Sequence, residues 1–382
     1  MKVNIKMGNI FFICLLSLLL TGCSYEKKNH SPAITEIELD LMAAENKLKL
    51  SEFVDSIAYI PLETSNLSLF GDVDRLIVTE RGEYLIADKE MTNALYLFDY
   101  TGRFLRKIGN KGQGPEEYIN IEDVAYYNRN IFIWDNKGGK ILKYSMEGDV
   151  LCSYKCMYTA YSFTCVDEDN FVFYCDYAKN EELNIDGWYP NVIRYNPKLK
   201  QFSYDLYFDG RIPSFAYVLS LNNLSNNNLY SSMNDTIYKV YTDSITPQLV
   251  LEYKSDYTEI RDDFLESFIS RPSSMNIEKK FPELISYFEC NKYCIFFLYK
   301  NNFLHYAIWH AESGFCKEAS SMNNPIVNDI DGIADFILRY SDGDFLYSFI
   351  EPGLLMERNF NMAKSLNICE DDNLVVVKMH VR

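Results

Sequence analysis

Four histidines, His30, His305, His310 and His380, are the whole imidazole inventory of this 382-residue chain. His305 and His310 are five apart, which puts them on opposite faces of one strand. There is neither a His-Glu-x-x-His helix nor a Gly-x-Ser-x-Gly elbow, so no catalytic residue is named for zinc-assisted or serine-dependent chemistry. Zinc needs about four converging ligands, and no Cys-x-x-Cys or His-x-x-x-His pair supplies them. No metal and no cofactor is expected. Carboxylates abound, 54 against 37 basic side chains, so paired acids for glycoside hydrolysis stay open. One charged set, Asp72, Asp74 and Arg75, then Glu122 and Asp123, then Asp335, lies at the starts of apolar runs. Brought together, it would form an acidic mouth for a cation or a basic group; apart, it is solvated charge. Trp188 and Tyr189 sit in a long polar segment from Ala178 to Asn191. They could stack on a sugar ring or a peptide, or pack back onto their own sheet.

What positions these groups is a repeat of strands. Tyr84–Asp88, Leu95–Asp99 and Phe104–Ile108 align with Ile131–Asp135, Ile141–Tyr144 and Val150–Tyr154, and Asp88 and Asp135 are 47 residues apart. A further strand precedes each unit, and four antiparallel strands per unit of about 40 to 60 residues is the mark of a propeller blade. Weaker copies at Phe171–Asp176 with Val192–Tyr195, Asn228–Ser231 with Thr236–Val240, Cys294–Tyr299 with His305–Trp309, and Phe345–Phe349 bring the count to six. The fold class is therefore all-β, a six-bladed β-propeller over residues 55–382. Ile57–Leu62 should lie beside Leu374–Met379 and close the ring by joining the two ends, with Pro61 tolerated on that edge. One short helical insertion is expected between blades four and five, where Phe264, Leu265, Phe268 and Ile269 follow helical spacing.

The segment Phe104-Leu-Arg-Lys-Ile-Gly-Asn-Lys-Gly-Gln-Gly-Pro-Glu-Glu-Tyr118, followed by Ile133-Trp-Asp135, resembles the NHL-repeat pattern. With Tyr59-Ile-Pro-Leu-Glu63 and the Cys23 motif described below, the chain is similar to six-bladed β-propeller lipoproteins of NHL type. The likeness is strong over residues 55 to 150 and weaker beyond. It departs near the end, where such chains have Asn-Pro before the last strand and this one has Asp372-Asn373-Leu374. It implies fold and envelope location more than activity, although some NHL-type propellers are enzymes.

In a propeller, the loops joining strands two and three share one face with the connections between blades. Gly112 to Tyr118, Ala178 to Asn191 and Tyr257 to Phe288 should meet there. The first lacks the Lys-Ser/Thr of a phosphate loop. Its structural reading has Gly112 and Gly114 supplying positive φ, Pro115 fixing the turn, and Glu117 and Tyr118 pinning the connection; ligand contact by Glu117 and Tyr118 is the other reading. Asp88, Asp135 and Asp176, at equivalent strand ends, should each accept backbone N–H bonds.

Residues 1–22 read as a signal peptide: Lys2 and Lys6 precede an uncharged run of eleven residues, Ile10 to Leu20, too short to span a bilayer. Leu20-Thr-Gly-Cys23 resembles the lipobox of bacterial lipoproteins, which implies cleavage before Cys23 and acylation, palmitate included, of that residue. Residues 23–54 then form a lipidated tether and lead-in. Ser24 fits sorting to the outer membrane. Of ten cysteines, Cys14 leaves with the signal and Cys23 carries lipid. Cys152 and Cys156 would lie roughly 13 Å apart on one strand, too far for a bridge; Cys290 and Cys294 flank a hairpin and either face one another or stay buried thiols. A net charge of −17 excludes a nucleic-acid binder. The reading is a lipid-anchored cell-envelope binding or scaffold module for a peptide, glycan or protein partner. The alternatives are a lyase or hydrolase using channel carboxylates, and a purely structural subunit of an envelope complex.

Overall fold

Runs rich in Val, Ile, Tyr and Phe extend into strands, and asparagines turn them. Asn128–Arg129, Asn226–Asn227 and Asn301–Asn302 each hold two successive positive φ values, the two-residue hairpin turn whose twist matches its flanking strands. The computed structural model describes residues 34–41, 46–212, 224–231, 233–255, 257, 260–261, 263–264, 266 and 281–382. The signal segment, Cys23 and the Ser24–Pro32 tether lie outside them.

The strands form a six-bladed β-propeller. Blade one holds Arg75–Val78, Tyr84–Asp88, Ala94–Phe98 and Phe104–Ile108, and blade two Asp123–Tyr127, Asn130–Asp135, Lys140–Ser145 and Val150–Lys155. Blade three is Ser162–Cys165, Phe171–Tyr174, Trp188–Asn196 and Gln201–Asp209. Blade four runs Leu224–Ser225, Asn228–Ser231, Asn234–Val240 and Ile245–Tyr253, and blade five Glu283–Cys290, Tyr293–Lys300, Phe303–His310 and Cys316–Ser321. Each is an antiparallel meander whose first strand lies nearest the axis, against the first strands of its neighbours.

Blade six takes Tyr340–Asp342, Phe345–Ile350 and Val375–Val381 from the end of the chain and Val54–Pro61 from its beginning, with Ile60 opposite Val376 and Ile57 opposite Met379. The ring is thus closed by both ends. The lead-in does more than reach that strand. Thr35–Leu39 adds a fifth strand to blade four, parallel to Ile245–Tyr253, and Leu48–Lys49 pairs in parallel with Ile326–Val327 next to blade five. Thr35–Leu39, Leu48–Lys49 and Val54–Pro61 are therefore a strap along the outer edges of three blades, and sheet structure begins well before residue 55.

Aromatic rings fill the seams. Trp134 packs edge-on against Phe173 at 4.9 Å between blades two and three, Tyr230 against Tyr287 at 6.3 Å between four and five, and Tyr84 against Tyr347 at 6.4 Å between one and six. All six are nearly or fully buried, and each such ring contributes about 1.5–3 kcal/mol by leaving water.

Helices differ from expectation. Between blades four and five, Ile260, Arg261, Asp263, Phe264 and Glu266 are helical, while Leu265, Phe268 and Ile269 lie outside the described residues. Two more helices, α1 (Pro352–Arg358) and α2 (Phe360–Ser365), sit between the second and third strands of blade six. Pro352 opens α1, where its missing N–H costs nothing, and the Asn359 side chain caps α2 by accepting from Met362 N at 3.1 Å.

Candidate functional site

The face carrying the connections is built first from buried carboxylates. Asp88, at the end of the second strand of blade one, accepts from Gly71 N (2.8 Å) on the incoming connection and from Met91 N (2.9 Å) and Thr92 N (3.2 Å) in its own loop. Asp135 repeats this in blade two with Ile119 N (2.9 Å), Asn120 N (3.3 Å) and Gly138 N (2.8 Å). Each carboxylate staples a connection to a loop. The Gly112 to Tyr118 segment closes on itself through Gly112 N to Tyr118 O (2.9 Å) and Gly114 N to the Glu117 carboxylate (2.9 Å), and Lys140 Nζ donates to Gly114 O (3.0 Å) and Pro115 O (3.4 Å). Neither Gly112 nor Gly114 has positive φ. A Cβ at Gly112 would displace the Glu117 carboxylate from the position in which it accepts from Gly114 N. Tyr118 is buried in the seam with Leu97 and Tyr144, so Glu117 and Tyr118 hold the turn.

The charged set does not form an acidic mouth. Arg75 reaches across the axis: its Nη2 donates to Leu224 O of blade four (2.8 Å) and its Nε lies 3.7 Å from Asp123 Oδ1. Asp123 also accepts from Val124 N and, in blade three, from Phe163 N, both at 2.8 Å. One cation and one carboxylate thereby tie four blades together. Asp74 accepts from Lys89 N (2.6 Å), and burial holds the Glu122 carboxyl above its ordinary range against the opposing pull of the Lys89 ammonium. Asp72 is exposed, 3.8 Å from Arg339 Nη1. Asp335 is not on an inner strand; it is exposed in the blade five to six connection, where it accepts from Asn328 N (2.9 Å). Beyond Arg75 a cavity of about 300 Å³ extends between the inner strands to Asp342, whose carboxyl is raised by burial. There Asn226 Nδ2 donates to Ser341 O (3.0 Å), linking blades four and six.

Blade three is built differently. Trp188 and Tyr189 begin a strand rather than ride on a loop: Trp188 bridges to Ile185 and pairs with Asp209. Tyr189 packs back, its ring stacked on Phe208 at 5.8 Å and its hydroxyl donating to Glu181 Oε2 (2.7 Å) while accepting from Asn184 Nδ2 (2.6 Å). Trp188 is 49% exposed. Asp176 departs from Asp88 and Asp135. The N–H bonds fall to Asn180, whose Oδ1 accepts from Thr159 N (2.7 Å), and to Asn191, whose Oδ1 accepts from Tyr177 N (2.8 Å). Asp176 and Tyr177 adopt φ of 47° and 62°, the left-handed region that side chains avoid. Burial pushes the Asp176 carboxyl up to about 6, with the Tyr174 hydroxyl donating to it at 3.2 Å.

Beside this strained pair a cavity of about 230 Å³ opens between blades three and four, walled by Tyr174, Tyr177, Tyr207, Phe208, Tyr230 and Tyr238. Next to it, Met233, Phe264 and Phe281 form a small apolar cluster that Tyr177 and Ile212 join. Arg261 clamps the helical residues to blade four through both nitrogens on Asp235, at 2.6 and 2.9 Å. Loops of blades three and four and the connection after blade four thus meet. The bonds of the Gly112 turn run instead within blades one and two.

Residues 34–380 match the model of a family described as a domain of unknown function, DUF4934. The chain belongs to that family. Among solved structures, this DUF4934 propeller is similar to a presumed exported protein from Bacteroides fragilis, at 18% identity and TM-score 0.69, covering 92% of this chain and 100% of that one. It is also similar to a DUF4221 family member from Bacteroides vulgatus, at 10% identity and TM-score 0.48, covering 89% and 99%. No curated protein matches it in sequence.

The remaining reactive groups of the DUF4934 domain are quiet. Cys290 and Cys294 do not face one another: the turn is Asn291–Lys292, Cys290 pairs with Tyr293 and Glu289 with Cys294, so the two thiols point to opposite sides of blade five. The eight cysteines from Cys152 to Cys369 are free. Burial pushes Cys156, Cys175 and Cys290 up to about 12 and Cys294 to about 11, far from the thiolate a nucleophile needs. His305 is pulled down to about 4 by burial, aided by Lys300, and is neutral at pH 7. Among the described residues no group of three or more His, Cys, Asp or Glu is placed to hold a metal, and no helix is long and apolar enough to cross a membrane.

Proposed function

We propose that this chain is an exported lipoprotein of the cell envelope, anchored to the outer membrane through acylated Cys23, and that it acts as a binding module on the face over blades three and four. The observation that carries the binding reading is the tyrosine-walled cavity beside the left-handed Asp176–Tyr177 pair. Backbone strain costs on the order of 1–3 kcal/mol per residue and persists where surrounding structure holds it, often at ligand sites. An open aromatic surface also offers large contact area at small entropic cost. Exposed Trp188 and Tyr207 extend that surface outward. The likeness to a presumed exported Bacteroides fragilis protein supports an envelope location. The inner-strand carboxylate Asp123 is engaged by Arg75 and two backbone N–H groups, and the binding reading is preferred on that ground.

Two experiments test this. Cys23→Ser should move the protein from the membrane to the soluble fraction and abolish labelling by a palmitate analogue; an unlabelled wild type refutes the anchor. Co-purification from gently solubilised envelopes should yield a partner or glycan that is lost in a folded Trp188→Ala/Tyr207→Ala variant. Retention of the same partner by that variant refutes the assigned face.

A further inference from the structure

The two cavities differ in charge. The axial one is lined by both Arg75 and Asp342, whereas among the described residues those lining the cavity between blades three and four are all uncharged. Its floor is Tyr174 and Tyr230, buried to 1% and 2% exposure, and its rim is Tyr207, 42% exposed on the outermost strand of blade three. Polar groups enter from Asn191, Ser231 and Asn234, interleaved with the rings. An ionic ligand would leave its charge unpaired against such walls, at a cost of several kcal/mol. Asn191, Ser231 and Asn234 already accept backbone N–H bonds from Tyr177, Met233 and Thr236, which fixes them in place and leaves their remaining donors and lone pairs for a ligand's hydroxyls. At roughly 30 Å³ per water the space holds about eight waters, the scale of one sugar ring and far less than a folded peptide segment. A pyranose presents apolar C–H faces to aromatic rings and, around its edge, hydroxyls that match amide and phenol groups.

Resting on the binding reading above, we infer that the cavity between blades three and four is a subsite for one neutral pyranose residue of a glycan. Tyr207 supplies the outer stacking face. Tyr177 supplies a wall whose position depends on the left-handed turn: Asn191 Oδ1 accepts its N–H, and its ring meets Phe208 edge-on at 5.2 Å.

The test uses the full chain in detergent and ligand-observed NMR titration of methyl glucoside, methyl galactoside, methyl mannoside and N-acetylglucosamine, with glucuronate as the charged control. At least one neutral probe should bind, with glucuronate about tenfold weaker or more. Tyr207→Ala should weaken the bound probe about tenfold, and Tyr207→Phe, which keeps the ring, should restore most of that loss. Equal or tighter binding of glucuronate overturns the inference, as does a Tyr207→Ala variant that binds like wild type. If no sugar binds yet the Trp188→Ala/Tyr207→Ala variant loses its co-purifying partner, the sugar assignment falls and the binding face stands. If no sugar binds and the partner is retained, both fall.

Discussion

Blades one and two and blade three share a strand order but fix their connection face with opposite chemistry. In the first pair an aspartate at the end of strand two gathers three backbone N–H groups, joining the incoming connection to the loop beside it. In blade three the equivalent aspartate, Asp176, gathers none of these; neutral Asn180 and Asn191 take the N–H bonds, and Asp176 is buried against a tyrosine hydroxyl. The first arrangement is an acceptor with its backbone donors supplied. The second is a carboxyl short of donors, which favours the protonated form. Where the repeat is regular an aspartate staples the connection, and where it breaks neutral amides take over the staple beside an aromatic cavity.

The sharpest way to break this comparison is to make one substitution at both sites. Asp135→Asn replaces an acceptor oxygen with a donor facing N–H groups already in place, so it should destabilise by roughly 2–4 kcal/mol, read as a lower denaturant midpoint at unchanged slope. A variant as stable as wild type would sink the staple account. Asp176→Asn should do the opposite at pH 7. The folded-state pKa of Asp176, about 6, lies above its ordinary 3.8, so the wild type loses stability as pH rises between those values, by at most about 3 kcal/mol. The amide does not titrate and still accepts from Tyr174, so the variant should gain roughly 1–3 kcal/mol at pH 7, with the gain gone below about pH 4. A pH-independent difference between variant and wild type removes that explanation. The smallest effect belongs to Trp188→Ala/Tyr207→Ala: both side chains are half-exposed, so unfolding should shift by no more than about 1 kcal/mol. A larger loss would mean that these rings are core rather than contact surface.

Much of the frame was legible because it is local. The Asp88 to Asp135 spacing, the alternating strands and the edge-tolerant Pro61 located the blades and the closing strand, Val54–Pro61, within a few residues. The short helices α1 and α2 escaped because seven and six residues are too few to show a 3.6-residue period; Pro352 and the capping Asn359 were their only signals. The hairpin at Cys290 turned on which residues the turn consumed, and a shift of one residue reverses every face. The cavity was less accessible still, since its walls come from the separate segments that hold Tyr174 and Tyr177, Tyr207 and Phe208, and Tyr230 and Tyr238, and pairing between blades is written in no single segment. One trace was present: Asp88 is followed by Lys and Asp135 by Asn, but Asp176 by Tyr, a ring where the other blades carry a polar side chain.

The strap along the outer edges also sets an order of assembly. Strands early in the chain have distant partners: Thr35 waits for Leu249, and Ile60 for Val376. Until the final strand emerges, blade six is incomplete and Val54–Pro61 stays unpaired, open to wrong pairing. Such long-range closure is slow, and a chain cut before Val375–Val381 cannot complete the ring, so a closed propeller reports that synthesis has passed that strand.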